Sequence, residues 1–246
     1  MINSSPWLKR FLSVASAALL AGCSTSREAT PAASAPKAQP APAAPAPAAA
    51  HEALPAAIAN PPAPFAGEGW HSMFDGQTMA GWRETPFAGR GELECRSGVI
   101  VLNMGEPFTG LNWTNEFPQE NYEIALDAMR LAGSDFFCGL TVPVGTNCCS
   151  LIVGGWGGSL VGISSLEGMD ASENETTKFV SFENARWYRI RLRVVKNRVQ
   201  AWIDDDKLID VDTKDKRIAV RPGDIELSQP LGLAAWQTSA ALRQIK

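Results

Sequence analysis

The sequence predicts an all-β domain, a two-sheet antiparallel sandwich of the jelly-roll type, from about Phe65 to Lys246. From Glu92 onward, short stretches of β-branched and aromatic residues recur at intervals of about ten residues, separated by Gly, Asn and Asp, which is typical of all-β folds. No segment shows a convincing amphipathic helical period. Antiparallel strands joined by hairpins and long glycine-rich connections favour a two-sheet sandwich, with the outer face of one sheet as the working surface.

Individual strands follow from turn signals and from alternation. Three hairpins are predicted: Glu92–Arg96 with Val99–Asn103, Phe136–Val142 with Cys149–Val153, and Val199–Ile203 with Lys207–Val211. Tyr122–Leu131 alternates in a way that predicts one buried and one exposed face. Trp187–Val195 alternates too, and it places Arg189, Arg191 and Arg193 on one face. The last strand is predicted at Ala240–Ile245.

The first 22 residues have the layout of a signal peptide. Lys9 and Arg10 precede an apolar run, Phe11–Ala21, which is too short to span a bilayer permanently. The segment Leu19–Cys23, which overlaps the end of this run, resembles the lipobox of bacterial lipoproteins. The resemblance implies cleavage before Cys23 and acylation of that residue. An ordinary leader with a coincidental Cys is the alternative. Acyl chains on Cys23 would anchor the chain in the cell envelope, with no other contact to the membrane.

Residues 23–64 are predicted to be a disordered tether. Between Ala29 and Pro64 there are seventeen Ala and ten Pro in thirty-six residues, with almost no charge and no periodic apolar face. A Pro-rich chain of this length is extended and semi-rigid, and it would span on the order of 100 Å. The predicted organisation is therefore a signal peptide at 1–22, a lipidated Cys and linker at 23–64, and one globular domain at 65–246.

Charge and aromatic content narrow the class of partner. Residues 1–64 hold four basic and two acidic residues, and the whole chain carries a net charge of −4, so the domain alone carries about −6. This disfavours nucleic acid as a partner. Seven of the eight Trp residues lie in the domain, and Trp covers the apolar face of a sugar ring well. An oligosaccharide or glycoside is therefore the expected ligand, although these Trp residues also suit a core.

Export makes disulfides possible for the four remaining cysteines, which are Cys95, Cys138, Cys148 and Cys149. Cys148 and Cys149 are adjacent and point to opposite faces if they lie in a strand, so a bond between them would be strained. If Pro143 pairs with Cys148, then Cys138 lies opposite Val153 and has no Cys facing it. Buried free thiols are therefore the default prediction.

The segment Phe74–Trp82, which reads FDGQTMAGW, resembles the opening motif of the bacterial 3-keto-disaccharide hydrolase domain family. Later elements follow in the same order, among them Arg186–Ile190, Ala201–Asp205 and Gly232–Ile245, so the resemblance covers Gly69–Ile245. It implies a concanavalin-like jelly roll and action on glycosides oxidised at sugar C3. The central segment Gly133–Gly139 departs from the family's usual pattern, which suggests a distinct subgroup.

A ketone at C3 makes the C2 proton acidic, so the glycoside can be cleaved by removing that proton and expelling the C1 substituent. Such chemistry needs a base, a group that holds the enolate oxygen and an acid for the leaving group. The two His residues, His51 and His71, lie in the tether and before the first motif, so a carboxylate is expected as the base. The candidates are Asp135, Asp127, Glu173 and Glu175. The candidates for holding the enolate oxygen are Arg130, Arg191 and Arg193. The alternative is that these arginines are solvated on a sheet face or paired with aspartates.

Substrate contacts are predicted next to these groups. Trp156 lies in the glycine-rich stretch Gly154–Gly158 and is a candidate sugar platform, the alternative being a tight turn with a buried Trp. The other candidate binding residues are Asn174, Arg193, Trp236 and Gln237. A divalent cation held by carboxylates and amides in the loop 170–175 is a further possibility, although that loop lacks the spacing of a calcium hand, so its ligands are unknown.

Three functions compete on these observations. The leading hypothesis is an envelope-anchored enzyme, a hydrolase or lyase, that cleaves 3-keto-disaccharides or related 3-keto-glycosides by C2 proton abstraction. The first alternative is a noncatalytic, lectin-like carbohydrate-binding domain. The second is a structural envelope protein whose surface Trp and Arg residues contact another protein.

Overall fold

A computed structural model describes residues 54–55 and 58–246 of the chain. Its strands form two antiparallel sheets of seven strands each. In spatial order the first sheet contains β1 (Trp82–Glu84), β4 (Phe108–Trp113), β13 (Gly232–Trp236), β6 (Cys138–Val144), β7 (Asn147–Gly154), β8 (Leu160–Ser164) and β9 (Lys178–Phe179). The second sheet contains β12 (Asp206–Asp212), β11 (Arg198–Ile203), β10 (Tyr188–Val195), β5 (Tyr122–Gly133), β14 (Thr238–Arg243), β3 (Val99–Leu102) and β2 (Leu93–Arg96).

Among the described residues from 65 onward, helical structure is limited to a turn at Gly155–Gly158 and a 3-10 helix at Asp224–Ser228. The chain changes sheet after β1, β3, β4, β5, β9, β12 and β13. The predicted two-sheet jelly roll is therefore confirmed.

The core between the sheets follows from alternation along each strand. In β10, Tyr188, Ile190, Leu192 and Val194 are buried in the core, and the arginines between them point to the outer face of the second sheet. All three predicted hairpins form, as β2–β3, β6–β7 and β11–β12. The last strand begins and ends two residues earlier than predicted, at Thr238–Arg243.

One prediction about β5 is wrong. Its outward side was expected to face solvent, but Ala125, Asp127, Met129 and Leu131 are all buried. Leu54, Ile58 and Trp187 pack on this part of the second sheet, so the strand is covered on both faces. Strands covered on both faces do not show a clean contrast between apolar and polar sides.

Residues 54–55 and 58–64, which we call the N-terminal strap, supply much of this cover. The side chain of Leu54 is fully buried against the outer face of the second sheet. Farther along, the carbonyl of Asn60 accepts a 2.6 Å hydrogen bond from Arg243, and the carbonyls of Ala63 and Pro64 accept bonds of 2.6 and 3.0 Å from Arg189. The packed structure therefore extends N-terminal to the predicted boundary at Phe65.

Replacing Leu54 by alanine tests how much the strap stabilises the domain. We expect the free energy of unfolding to fall by about 2–5 kcal/mol, because a buried leucine is lost and the sheet beneath it cannot close the cavity. Urea denaturation of the full chain measures the change. Leu227→Ala is the matched control because that leucine is exposed, and it is expected to change stability little. Equal stability of both variants would mean that the strap is only loosely attached.

Four cysteines lie in the described part of the chain, and all four are free. Pro143 pairs with Cys148 and Cys138 with Val153, as predicted, so no second Cys faces Cys138. Burial raises the pKa of the Cys138 and Cys149 thiols to about 12, which keeps both protonated and chemically inert.

The predicted leader at 1–22, Cys23 and the tether as far as residue 53 lie outside the described residues. Among the residues that are described, no helix is both long and apolar enough to cross a membrane.

Candidate active site

A cavity of about 210 Å³ opens on the outer face of the first sheet. Strands β4, β7, β8 and β13 form its floor, and the connections around them form its walls. The lining residues are Phe108, Asp135, Phe136, Ser150, Ile152, Trp156, Ser164, Asp170, Arg221, Ile225 and Trp236. Asp135, Trp156 and Trp236, three of the predicted site residues, are therefore brought together.

Aromatic rings form one wall of the cavity. Phe108 is central to it, with its ring centroid 4.5 Å from that of Trp236 in an edge-on arrangement and 4.7 Å from that of Phe87, which stacks behind it. Phe136 completes the group at 6.1 Å from Phe108. Alternation accounts for this wall, because Phe108 and Trp236 are opposite each other on neighbouring strands and point to the same side. Apolar ring surfaces of this kind can cover one face of a sugar ring.

Asp135 lies at the edge of this wall, in the connection that leads into β6. Its carboxylate accepts a 2.8 Å hydrogen bond from the Phe136 N–H through Oδ1 and a 3.3 Å bond from the Gly157 N–H through Oδ2. Its own N–H donates to the Thr238 hydroxyl at 3.1 Å. The carboxylate is thus held in one orientation by backbone groups rather than by an ion pair.

Burial raises the pKa of Asp135 above its ordinary value, and this effect outweighs the others. The N–H groups of Phe136, Gly157 and Trp156 and the positive charge of Arg130 act in the opposite direction and lower the pKa. A carboxylate with a raised pKa is a stronger base than an exposed aspartate.

The turn at Gly155–Gly158 presents Trp156 to the cavity. Trp156 has φ 50° and ψ 55°, a left-handed conformation, and its side chain is 43% exposed. The buried guanidinium of Arg130 supports the turn from behind and donates to the Gly158 carbonyl at 3.2 Å. Gly158 has φ 107°, which L side chains rarely adopt, and a Cβ there would lie 2.8 Å from Nη1 of Arg130 and 3.0 Å from the Ser134 carbonyl, so this position favours glycine.

The wall opposite the aromatic rings is polar. Asp170 and Arg221 form an ion pair there, with 3.1 Å between Oδ2 and Nη1, and the Arg221 guanidinium lies 6.0 Å from the Trp156 ring. Ser164 donates to Oδ1 of Asp170 at 2.6 Å. This wall supplies donors and acceptors for hydroxyl or carbonyl oxygens.

Several predicted site residues lie on the opposite side of the sandwich. Arg191 and Arg193 are on the outer face of the second sheet, where both pair with Glu123 at 2.9 and 3.2 Å. Asp127 is on the same face and pairs with two other arginines. These residues are therefore too far from Asp135 to act together with it. The arginines are paired with carboxylates, which was the alternative interpretation of their alternation in the sequence.

Three of the remaining candidates do not line the cavity. Arg130 donates to Asn184, Gly158 and Phe182 at 2.7 to 3.2 Å, behind the turn rather than inside the cavity. Gln237 is exposed and does not line the cavity. Glu173 is exposed in the loop after β8.

Within that loop, the oxygens proposed as cation ligands are already engaged. Glu175 pairs with Lys216, and Asp170 pairs with Arg221. The amide of Asn174 donates to three backbone carbonyls, and its oxygen accepts from Thr176. Asn174 therefore orders the loop, and in the described part of the chain no three His, Cys, Asp or Glu residues gather as metal ligands.

Sequence reasoning missed Phe108, Ser164 and Arg221 as lining residues. The sequence does mark the floor of the cavity. Cys149–Val153 in β7 is apolar at almost every position, as expected for a strand that is covered on both faces. Arg221 lies in the long connection between β12 and β13, where no periodicity or motif marks it.

The size of the cavity limits what it can bind. Pockets for drug-sized ligands hold roughly 300–1,000 Å³, whereas this one holds about 210 Å³. It therefore fits one ring, with the rest of a longer ligand in solvent. Asp170, Arg221 and Asp135 include two carboxylates and one guanidinium, which disfavours an anionic ligand.

The chain is similar to several solved structures at low sequence identity. The carbohydrate-binding module CBM66 from Bacillus subtilis is 12% identical, with 67% of this chain and 93% of that chain covered and a TM-score of 0.46. The β-glucanase of Bacillus licheniformis is 9% identical, with 74% and 97% covered and the same TM-score. No curated protein matches the chain.

A family model identifies the domain more directly. The model of the 3-keto-alpha-glucoside-1,2-lyase-like domain matches residues 69–246, which include every strand of both sheets and every residue that lines the cavity. The chain therefore belongs to the 3-keto-alpha-glucoside-1,2-lyase-like domain family.

Proposed function

We propose that this chain cleaves glycosides whose sugar ring carries a ketone at C3, and that Asp135 is the base. Membership of the family supports the substrate class. The observation that carries the proposal is the carboxylate of Asp135, which lines an aromatic, ring-sized cavity with a pKa raised by burial. Such a group can accept a proton from carbon next to a ketone at neutral pH.

The reaction is a 1,2-elimination in two steps. Asp135 takes the proton from C2, and the electrons of that C–H bond form a C2=C3 double bond while the ketone becomes an enolate. The enolate then collapses, which restores the ketone, forms a C1=C2 double bond and breaks the bond from C1 to the glycosidic oxygen. That oxygen leaves toward the open side of the cavity and takes a proton from water, and the hydroxide so formed takes the proton held by Asp135, which restores the base. Addition of water across C1=C2 would complete a net hydrolysis.

Arg221 is the group proposed to hold the enolate oxygen. Its guanidinium lines the cavity and keeps donors free of its single bond to Asp170, since arginine carries five N–H donors. A fixed positive charge near the developing oxyanion stabilises the transition state more than the ground state. Phe108, Phe136 and Trp236 would hold the ring face and keep water away from C2.

The test is incubation of the full chain with 3-keto-trehalose or a 3-keto-glucoside, followed by detection of the unsaturated keto-sugar and the released aglycone. We expect turnover, and we expect none with the same glycosides bearing an ordinary C3 hydroxyl. A parallel reaction contains EDTA. Loss of turnover that added Mg²⁺ or Ca²⁺ restores would assign the enolate oxygen to a cation instead of Arg221. Saturable sugar binding without any turnover would favour the lectin-like alternative.

Replacing Arg130 by glutamine should move the acidic limb of the pH profile of kcat/KM. The positive charge of Arg130 lowers the pKa of Asp135, so its loss raises that pKa and shifts the limb to higher pH. The same shift is expected in the carboxyl resonance of Asp135 by NMR. Arg193→Gln is the control, because Arg193 is also a paired arginine but lies on the opposite face. A lower rate with an unmoved limb would limit Arg130 to supporting the turn.

We also propose that the enzyme is anchored in the cell envelope through Cys23. The lipobox-like segment Leu19–Cys23 supports this, together with the Ala- and Pro-rich stretch that follows it. Acylation should appear as a mass increase on the mature N-terminal residue, and Cys23→Ser should abolish it and release the domain from the membrane fraction. A soluble wild-type chain that begins with an unmodified residue would exclude the anchor.

A further inference from the structure

The two residues of the ion pair between Asp170 and Arg221 differ in how far their side chains are exposed to solvent. The side chain of Arg221 is 60% exposed, while that of Asp170 is only 16% exposed, although both line the cavity. A surface ion pair usually contributes little to stability. The arrangement is therefore better explained by what the two groups offer to a ligand.

Asp170 is held in place before any ligand arrives. Its Oδ1 accepts hydrogen bonds from the Ser164 hydroxyl at 2.6 Å and from the Ala171 N–H at 2.7 Å, while Oδ2 faces Arg221. A carboxylate has about four acceptor positions. Three of them are occupied within the described residues, so one position on Oδ2 is left to accept a hydroxyl proton.

The wall thus offers a donor and an acceptor side by side. The N–H groups of Arg221 suit an oxygen that can only accept, such as a ketone or an enolate. Oδ2 of Asp170 suits a neighbouring hydroxyl, which donates. In a 3-keto sugar the ketone at C3 is flanked by hydroxyls on C2 and C4, so the pair matches the ketone together with one of these two neighbours.

The position of the base selects the neighbour. The Arg221 guanidinium lies 6.0 Å from the ring of Trp156, in the same turn whose Gly157 N–H donates to Asp135, so Arg221 is the member of the pair next to the base. With Asp135 at the C2 proton and Arg221 at the C3 oxygen, C4 is the ring position beyond Arg221. We propose that Asp170 accepts a hydrogen bond from the C4 hydroxyl while Arg221 binds the C3 oxygen, so that this ion pair selects sugars by the hydroxyl at C4. This inference rests on the proposed function for the orientation of the ring.

The first experiment measures binding and needs no turnover. Dissociation constants of the Asp135→Asn chain are measured for a methyl 3-keto-glucoside, its 4-deoxy analogue and its 2-deoxy analogue. We expect the 4-deoxy analogue to bind about 10–100-fold more weakly, because a hydrogen bond to a charged group is lost. The 2-deoxy analogue should lose little. Equal affinity for the first two sugars, or a larger loss for the 2-deoxy analogue, would overturn the assignment.

Variants then assign the effect to the pair. With Asp170→Ala, the preference for the C4 hydroxyl should fall below about threefold, as expected when the acceptor is gone. Glu173→Ala is the matched control from the same loop, since Glu173 is exposed and does not line the cavity, and it should keep the full preference. Because Asp170→Ala could loosen its loop, Arg221→Gln is measured as well. Because this side chain is 60% exposed, we expect the variant to fold, and its loss should abolish the preference for a C3 ketone over a C3 hydroxyl.

The two proposals fail in different ways. If wild-type chain shows the C4 preference in binding but turns over no keto-sugar, the proposed reaction is wrong and the assignment of the pair stands. If keto-sugars are cleaved with equal kcat/KM whether or not C4 carries a hydroxyl, the reaction stands and the assignment is wrong. Absence of binding to all three sugars would reject both.

Discussion

Replacing Asp135 by asparagine is expected to lower kcat/KM for a 3-keto-glucoside by about 10²–10⁴-fold, the contribution of a positioned general base. Asparagine has nearly the same shape, and its side-chain oxygen can still accept the 2.8 Å hydrogen bond from the Phe136 N–H. The longer, 3.3 Å bond from the Gly157 N–H loses its acceptor, so the activity loss is interpreted together with the stability of the variant. Steady-state kinetics at pH 7 measure the activity loss.

Stability separates this effect from misfolding. Because burial raises the pKa of Asp135 in the folded state, ionisation of this group disfavours folding at pH values above that pKa. Asp135→Asn removes the charge, so the variant should be at least as stable as wild type at pH 7. As the pH falls through the raised pKa of Asp135, the free energy of unfolding of wild type should rise relative to that of the variant, because the carboxyl group becomes neutral in the folded state.

The control for the activity loss is Asp210→Asn. Asp210 is an exposed aspartate on β12, where it pairs with Arg198 and Lys207, and it does not line the cavity. Turnover by this variant should equal that of wild type. If Asp135→Asn retains activity within about threefold, the carboxylate is not the base, because such a change is too small for general-base catalysis.

The sequence was informative where one strand carries its own pattern. The alternation in β10 put Tyr188 and Ile190 inside and the arginines outside, as the structure has them. Asp135 was recognisable from its two Phe neighbours, which indicate a buried carboxyl, and the structure places it in the cavity. Both features depend on residues that are close in sequence.

The cavity as a whole depends on residues that are far apart in sequence. Alternation shows that Arg191 points outward, but it does not show which of the two outer faces holds the cavity, and Arg191 lies on the other one. Arg221 reaches Asp170 from a connection about fifty residues farther along the chain. The cover over β5 was missed for the same reason, since it comes from the strap at Leu54.

The second sheet carries the largest expected effect on stability. Asp127→Ala is expected to lower the free energy of unfolding by about 3–5 kcal/mol, the usual cost of removing one partner of a buried ion pair. Asp127 lies opposite Arg189 on β10 and Arg243 on β14, with N–O distances of 2.9 and 3.3 Å. Its side chain is 5% exposed, and that of Arg243 is 9% exposed.

The cost arises from the arginines that remain. Burial lowers the pKa of Arg243, and the charge of Asp127 opposes this effect, but a guanidinium stays protonated in proteins. Without Asp127, two positive charges would face each other under the strap with only carbonyl oxygens and the amide of Gln244 as acceptors. The strap would be held less firmly, and the variant should also be cleaved faster by proteases between residues 54 and 64.

A double-mutant cycle tests this explanation. In an Arg243→Met background, Asp127→Ala should cost clearly less than in wild type, because the more deeply buried of the two unpaired charges has been removed as well. Asp210→Ala serves as the exposed control and should change stability little. Urea denaturation of the full chain provides all four corners of the cycle. If Asp127→Ala costs the same with and without Arg243, the destabilisation comes from lost packing of the aspartate itself, and the buried charges are not what makes this face of the sheet depend on Asp127.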